Sequence, residues 1–202
     1  MNNLDYIVRK FNVDRGAPPP VFIPTGVRAD LAKLYGELGF KVGAEIGVER
    51  GVYAEQICQA TPGVKLYCID CWQIYNGCPE YDQQTRLDAY YQEAKTRLAP
   101  YNCEFIKKYS LDAVGDFPPE SLDFVYIDAN HKFDYVMSDI IFWSKIVKPG
   151  GIVSGHDYHK SRDPRANFQV IEAVNVYANV HQIKSWFVLN NEGCASWFWV
   201  KG

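Results

Sequence analysis

The sequence predicts an α/β protein: a doubly wound, mostly parallel seven-stranded sheet ending in an antiparallel C-terminal hairpin. Three observations lead there. From about residue 41 onward, short apolar runs alternate with segments of helical spacing. The run Leu122–Ile127 is apolar nearly throughout, as expected of a strand covered on both faces. Two last apolar runs flank Asn190-Asn191-Glu192-Gly193, a hairpin signal.

Taken in order, residues 1–28 read as an N-terminal arm, and residues 29–202 as the domain proper. Ala17-Pro18-Pro19-Pro20 favours an extended path in the arm. Residues 29–38 fit a short amphipathic helix stopped by Gly39. Lys41–Ile46 reads as a strand, Tyr53–Ala60 as a helix and Val64–Ile69 as a strand. Residues 80–99 place Leu87, Tyr90, Tyr91, Ala94 and Leu98 near helical spacing. Cys103–Ile106 and Leu122–Ile127 are strands, and Phe133–Ile146 is a helix. Pro149-Gly150-Gly151 reads as a turn into strand Ile152–Gly155. Residues 166–179 form another helix, and Trp186–Leu189 and Ser196–Val200 form the hairpin.

The chain has 202 residues, which fits one domain, and 48% are hydrophobic, enough for a sizeable core. Net charge is −3 with no block of Lys or Arg, which disfavours a nucleic-acid partner. No apolar run approaches the ~20 residues of a membrane span. The opening MNNLDYIVRKFNVD lacks the features of a signal peptide. The expectation is a soluble cytoplasmic protein with no membrane partner. There are six cysteines. Cys68-x-x-Cys71 has no second pair at metal spacing, so reduced, buried thiols are expected.

Sheets of this class bind ligands at the carboxyl ends of their strands. The first such end is Gly43-Ala-Glu45-Ile-Gly47-Val-Glu-Arg-Gly51-Val-Tyr53. Its glycines let main chain approach a ligand, and the next helix offers its amide groups. Their spacing departs from the G-x-G-x-x-G of dinucleotide sites. Glu45 among them suits a ligand with a cationic amino group better than a pyrophosphate. The second end, Ile69-Asp70-Cys71-Trp72, offers Asp70 to ribose hydroxyls and Cys71 or Trp72 to an adenine; a turn or cap role is the plainer alternative for Asp70. After the third strand, Ser110 reads as a helix N-cap that could also lie beside the adenine. The fourth and fifth ends carry Asp128-Ala-Asn130-His131 and His156-Asp157-Tyr158. If those strands are neighbours, Asp128, His131, His156 and Asp157 converge. Such a group could hold a divalent ion or do acid–base work; loop salt bridges are the structural alternative.

GAEIGVERGVY, then CID, then DFVYIDANHKFDYVMSDIIFWSKIVKPGGIVSGHDY resembles the class I S-adenosylmethionine (SAM)-dependent methyltransferases over about residues 41–160. Within them, the I-D-x-x-H…W…KPGG…GHDY run is similar to small O-methyltransferases of the macrocin or macrolide-sugar type. The resemblance implies a Rossmann-like methyltransferase fold. It also implies that Glu45, Gly47 and Tyr53 line the methionine end of SAM, with Asp70 on the ribose and Ser110 near the adenine. Asp128 would stand at the active site. Asp128, His156 and Asp157 would be ligands for Mg2+, and His131 the general base. His156 departs from the pattern, because related metal sites place a carboxylate there and magnesium prefers oxygen.

The activity expected is methyl transfer from SAM to an oxygen of a small-molecule acceptor, with Mg2+ as a candidate second cofactor. The alternatives are a metal-independent N-methyltransferase and a nicotinamide-dependent reductase, which the glycine spacing argues against. Tyr75, Tyr81, Tyr90, Tyr91 and Trp72 are candidate pocket residues, although packing is the commoner role for such aromatics. The arm could join copies of the chain as a homo-oligomer.

Overall fold

The computed structural model describes residues 2–75, 82–160, 168–191 and 193–202. Cys78, Tyr81 and Glu192, and the first residues of the helices expected from 80 and 166, lie outside these. Elements in chain order are α1 (Asn3–Lys10), β1 (Val21–Ile23), α2 (Arg28–Glu37), β2 (Val42–Ile46), α3 (Val52–Ala60), β3 (Lys65–Asp70), α4 (Gln84–Leu98), β4 (Cys103–Lys107), α5 (Ser110–Val114), β5 (Leu122–Ile127), α6 (Phe133–Ile146), β6 (Val147–Gly155), α7 (Val170–Val180), β7 (Trp186–Leu189) and β8 (Ser196–Val200).

The strands form one sheet in the order β1-β7-β8-β6-β5-β2-β3-β4. Strand β8 runs antiparallel to both β6 and β7, and the other pairings are parallel. The seven expected strands are all present, and the arm adds an eighth. Val21–Ile23 pairs in parallel with Phe187–Leu189. The arm also folds into α1, whose Asn2 side chain accepts the Asp5 N–H at 2.8 Å as an N-cap. Ile7 of this helix is fully buried and anchors it in the core.

Alternation along β5 shows how the two faces are filled. Phe124 and Tyr126 enter one core with Leu34, Tyr35, Ile57 and Phe198. Val125 and Ile127 enter the other with Ile140, Trp143, Val174 and Trp197. Burial on both faces accounts for the near-continuous apolar runs. Pro149-Gly150-Gly151, expected as a turn ahead of its strand, instead lies within β6. There Gly150 has φ +81° and the register against β5 shifts between Leu122 and Phe124. Strand order reverses between β2 and β5, since β2 leads outward to β3 and β5 to β6. A crevice at such a switch point is where ligands of this architecture bind. Among the described residues, no helix is long and apolar enough to cross a membrane.

Candidate functional site

Strands β5 and β6 are neighbours, with Ile127 opposite Gly155 and the His156 N–H donating to Ile127 O at 3.0 Å. This register brings Asp128, His131, His156 and Asp157 together at the rim. His131 Nε2 lies 2.9 Å from Asp157 Oδ2 and 3.7 Å from Asp128 Oδ1. His156 Nδ1 lies 3.4 Å from Asp157 Oδ1 and 3.6 Å from Asp128 Oδ2. Each imidazole therefore bridges the two carboxylates. Asp157 takes φ +55°, a left-handed conformation that Asp tolerates better than most residues.

Burial acts against ionising every member of this cluster, and their mutual charges overcome it. Asp128 and Asp157 are held below the usual carboxylate range by His131 and His156, Asp157 the more strongly. Burial would lower the two histidines, but the carboxylates push His131 up to about 10 and His156 up to about 9. Both imidazoles thereby hold their protons at neutral pH. Phe168 packs on the ring of His131, with centroids 4.4 Å apart.

The glycine loop sits next to this rim. Gly47 has φ +89° and passes close to the main chain of Asp128. Glu45 is 2% exposed, and its Oε2 has no hydrogen-bond partner. Burial and the charge of Asp128 push its carboxyl well above the usual range, while Arg28 acts the other way. Tyr53 is buried and donates its hydroxyl to Arg28 O at 3.2 Å.

Asp70 is committed to the protein's own backbone: its two oxygens accept N–H groups of Glu49 and Trp72 at 2.9 and 2.8 Å. It thereby ties the glycine loop to the end of β3, the turn role weighed above. Two expectations need correction. Trp72 is not offered to an adenine, because it is 0% exposed, packs on Tyr91 and Phe105, and donates Nε1–H to Glu49 O. Cys71, beside it, is buried too. Ser110 is not an N-cap but the first residue of α5, which starts without a side-chain cap. Its hydroxyl donates to Asp139 Oδ1 at 2.5 Å and accepts Trp143 Nε1–H at 2.8 Å. Asp139, unforeseen in the sequence, is 3% exposed, and burial pushes it up to about 7.

Of the aromatic candidates, Tyr90 and Tyr91 pack on the core. Tyr75 stands with Tyr109 and Tyr135 near the rim and accepts a hydrogen bond from Asn130 Nδ2 at 3.3 Å. Not every thiol is buried: Cys194 is exposed. Cys58 and Cys103 share a sulfur–sulfur hydrogen bond at 3.6 Å and form no disulfide. A groove of about 500 Å³ lined by residues including Tyr67, Lys107, Phe117 and Leu122 contains none of the candidate residues.

Three residues at the rim escaped the sequence reading. Arg28 projects from the start of α2, with Nη1 3.6 Å from Asp128 Oδ2 and its guanidinium 4.7 Å from the Tyr53 ring centroid. His159 and Cys194 also gather at Asp157. For His159 a signal existed, the His-Asp-Tyr-His run. Arg28 and Cys194 arrive through tertiary contacts that no local pattern announces.

Residues 44–158, more than half of the chain, match the family described as a methyltransferase domain. Among solved structures, the chain is similar to an O-methyltransferase from Bacillus cereus in complex with SAH. The TM-score is 0.62 at 15% identity, over 98% of this chain and 90% of that one. It is also similar to the O-methyltransferase TomG from Streptomyces achromogenes in complex with SAM, with TM-score 0.59 at 17% identity over 100% and 91%. At such identities the likeness is one of fold. An uncharacterized protein (R132) of Acanthamoeba polyphaga mimivirus is 35% identical over 78 residues, 37% of this chain. The match spans about a third of that relative's length, 34%.

Proposed function

The chain belongs to the class I methyltransferases, and from that premise we propose that it transfers the methyl group of SAM to an oxygen of a small-molecule acceptor. The observation that carries the cofactor assignment is Glu45. A buried carboxylate with an unpartnered oxygen, beside a glycine loop at the switch point, is short of a cation. SAM brings an ammonium and a sulfonium. The SAH and SAM complexes of the two similar O-methyltransferases support the same cofactor.

The sulfonium is already a strong electrophile, so the protein's tasks are alignment and removal of the acceptor's proton. Alignment of two bound reactants contributes roughly 7–11 kcal/mol. His131 is the group for the proton. Its imidazolium is stabilised by Asp128 and Asp157, and a bound sulfonium cation opposes that charge and favours the neutral base. Arg28 and Asp128 then set the field around the acceptor. The O-methyltransferase neighbours favour oxygen as the acceptor atom.

Magnesium fits this rim poorly. Asp128 and Asp157 offer oxygen, but His131 and His156 contribute nitrogen between them, whereas magnesium takes oxygen ligands and water.

The test is calorimetric titration with S-adenosylhomocysteine and with methylthioadenosine, which lacks the amino-acid group. Glu45→Gln is expected to weaken the first at least tenfold and leave the second unchanged. Equal affinity of wild type and Glu45→Gln for S-adenosylhomocysteine would overturn the role of Glu45. Absence of binding by the wild type would overturn the cofactor.

A further inference from the structure

Asp157 has two oxygens, and the rim described above uses them differently. Oδ2 faces His131, while Oδ1 faces His156 at 3.4 Å and also a further group. There His159 Nδ1 lies 3.6 Å from Asp157 Oδ1, and His159 Nε2 lies 4.0 Å from Cys194 Sγ. One ligand atom each from Asp157, His159 and Cys194 falls within 4.8 Å of the others. Around a tetrahedral ion with bonds of about 2.0–2.3 Å, ligand atoms lie roughly 3.3–3.8 Å apart. The three side chains thus need only small rotations to share one ion.

The backbone holds them in place. Tyr158 N–H donates to Ala195 O at 2.9 Å, which sets the segment after β6 against the hairpin and puts His159 beside Cys194. Asp157 is held at positive φ in the same segment. His159 Nδ1 is sealed from solvent without a hydrogen-bond partner, and Phe168 closes over the ring with centroids 5.6 Å apart. A buried imidazole nitrogen with no hydrogen bond is costly, and a metal ion shared with Asp157 would satisfy it.

We infer that Asp157, His159 and Cys194 form a binding site for a thiophilic divalent ion of the zinc class. Thiolate and imidazole select zinc and its neighbours over magnesium, and three protein ligands leave a fourth position open. Asp157 then links this ion to His131 through Oδ2, with Oδ1 shared between the ion and His156. The inference goes beyond the methyl-transfer reading and does not rest on it.

Cobalt(II) is the probe, added to the full-length reduced protein in the absence of SAM and acceptor. The expected result is a thiolate-to-cobalt charge-transfer band with tetrahedral d–d absorption, saturating at one equivalent. Zinc should abolish it by competition, and a hundredfold excess of magnesium should not. Cys194→Ser should remove the charge-transfer band, and His159→Ala should weaken cobalt binding at least tenfold. No band in the wild type, or a band surviving Cys194→Ser, would overturn the assignment. Because the readout uses no SAM, its failure is separate from failure of the methyltransferase reading.

Discussion

The α-carbon of Gly47 stands against the main chain of Asp128: a Cβ placed on it would come within 2.1 Å of the Asp128 carbonyl oxygen. Backbone cannot yield as a flexible side chain can, and φ +89° is itself unfavourable for alanine. Gly47→Ala is therefore expected to cost ~2–4 kcal/mol, combining overpacking with positive-φ strain. Urea unfolding measures it. A loss below about 0.5 kcal/mol would mean that the two loops are not in close contact.

His131 bridges the carboxylates of Asp128 and Asp157. If it takes the acceptor's proton, His131→Ala should lower turnover by roughly 10²–10⁴-fold. Affinity for S-adenosylhomocysteine should stay within a few-fold of wild type. Steady-state kinetics paired with calorimetry separates the two effects, and normal turnover would remove His131 from the mechanism.

Asp70 receives two main-chain N–H groups. Asp70→Ala strands both, and an unsatisfied buried donor costs about 1–3 kcal/mol. The expected destabilisation is about 2–4 kcal/mol, read by chemical denaturation. Asp70→Asn, which keeps one acceptor oxygen, should fall between alanine and wild type. Equal stability of all three would show that water replaces the carboxylate.

Asp139 gives the clearest pH signature. Burial raises its folded-state pKa to about 7, so between about pH 4 and 7 the folded protein holds a proton that the unfolded chain has released. Its contribution to stability is complete below the unfolded value and is lost as pH rises through about 7. Three pKa units correspond to up to about 4 kcal/mol. Asp139→Asn can still accept from Ser110 and carries no charge. Its Tm should rise relative to wild type at pH 7.5 and match it near pH 4. An equal Tm difference at both values would falsify the account.

How much of this was legible in the sequence depended on locality. The strand ends of β2, β3, β5 and β6 could be read because a sheet buried on both faces writes its strands as apolar runs, and the polar residues that follow mark the rim. Asp128, His131, His156 and Asp157 could be grouped for that reason, given neighbouring strands. What a side chain faces could not be read. Trp72 and Ser110 lie next to the crevice in sequence, but one turns into the core and the other toward α6. Strand β1 was hidden because three residues after a proline run carry no periodicity, and α1 because a helix of 8 residues offers too few turns for its period to stand out. Arg28 and Cys194 reach Asp128 and Asp157 only through long-range packing.

The pairing of β1 with β7 also fixes an order of assembly. Val21–Ile23 leaves the ribosome before β2 to β6, and its partner Phe187–Leu189 leaves after them. Until then the first strand has no edge to join, and Arg28, five residues beyond it, lacks that anchor near the rim. Pairing over so long a loop is slow to form. The nascent chain can build β2 to β6 before Val21–Ile23 docks, so the site reaches its final shape only once β7 has been made.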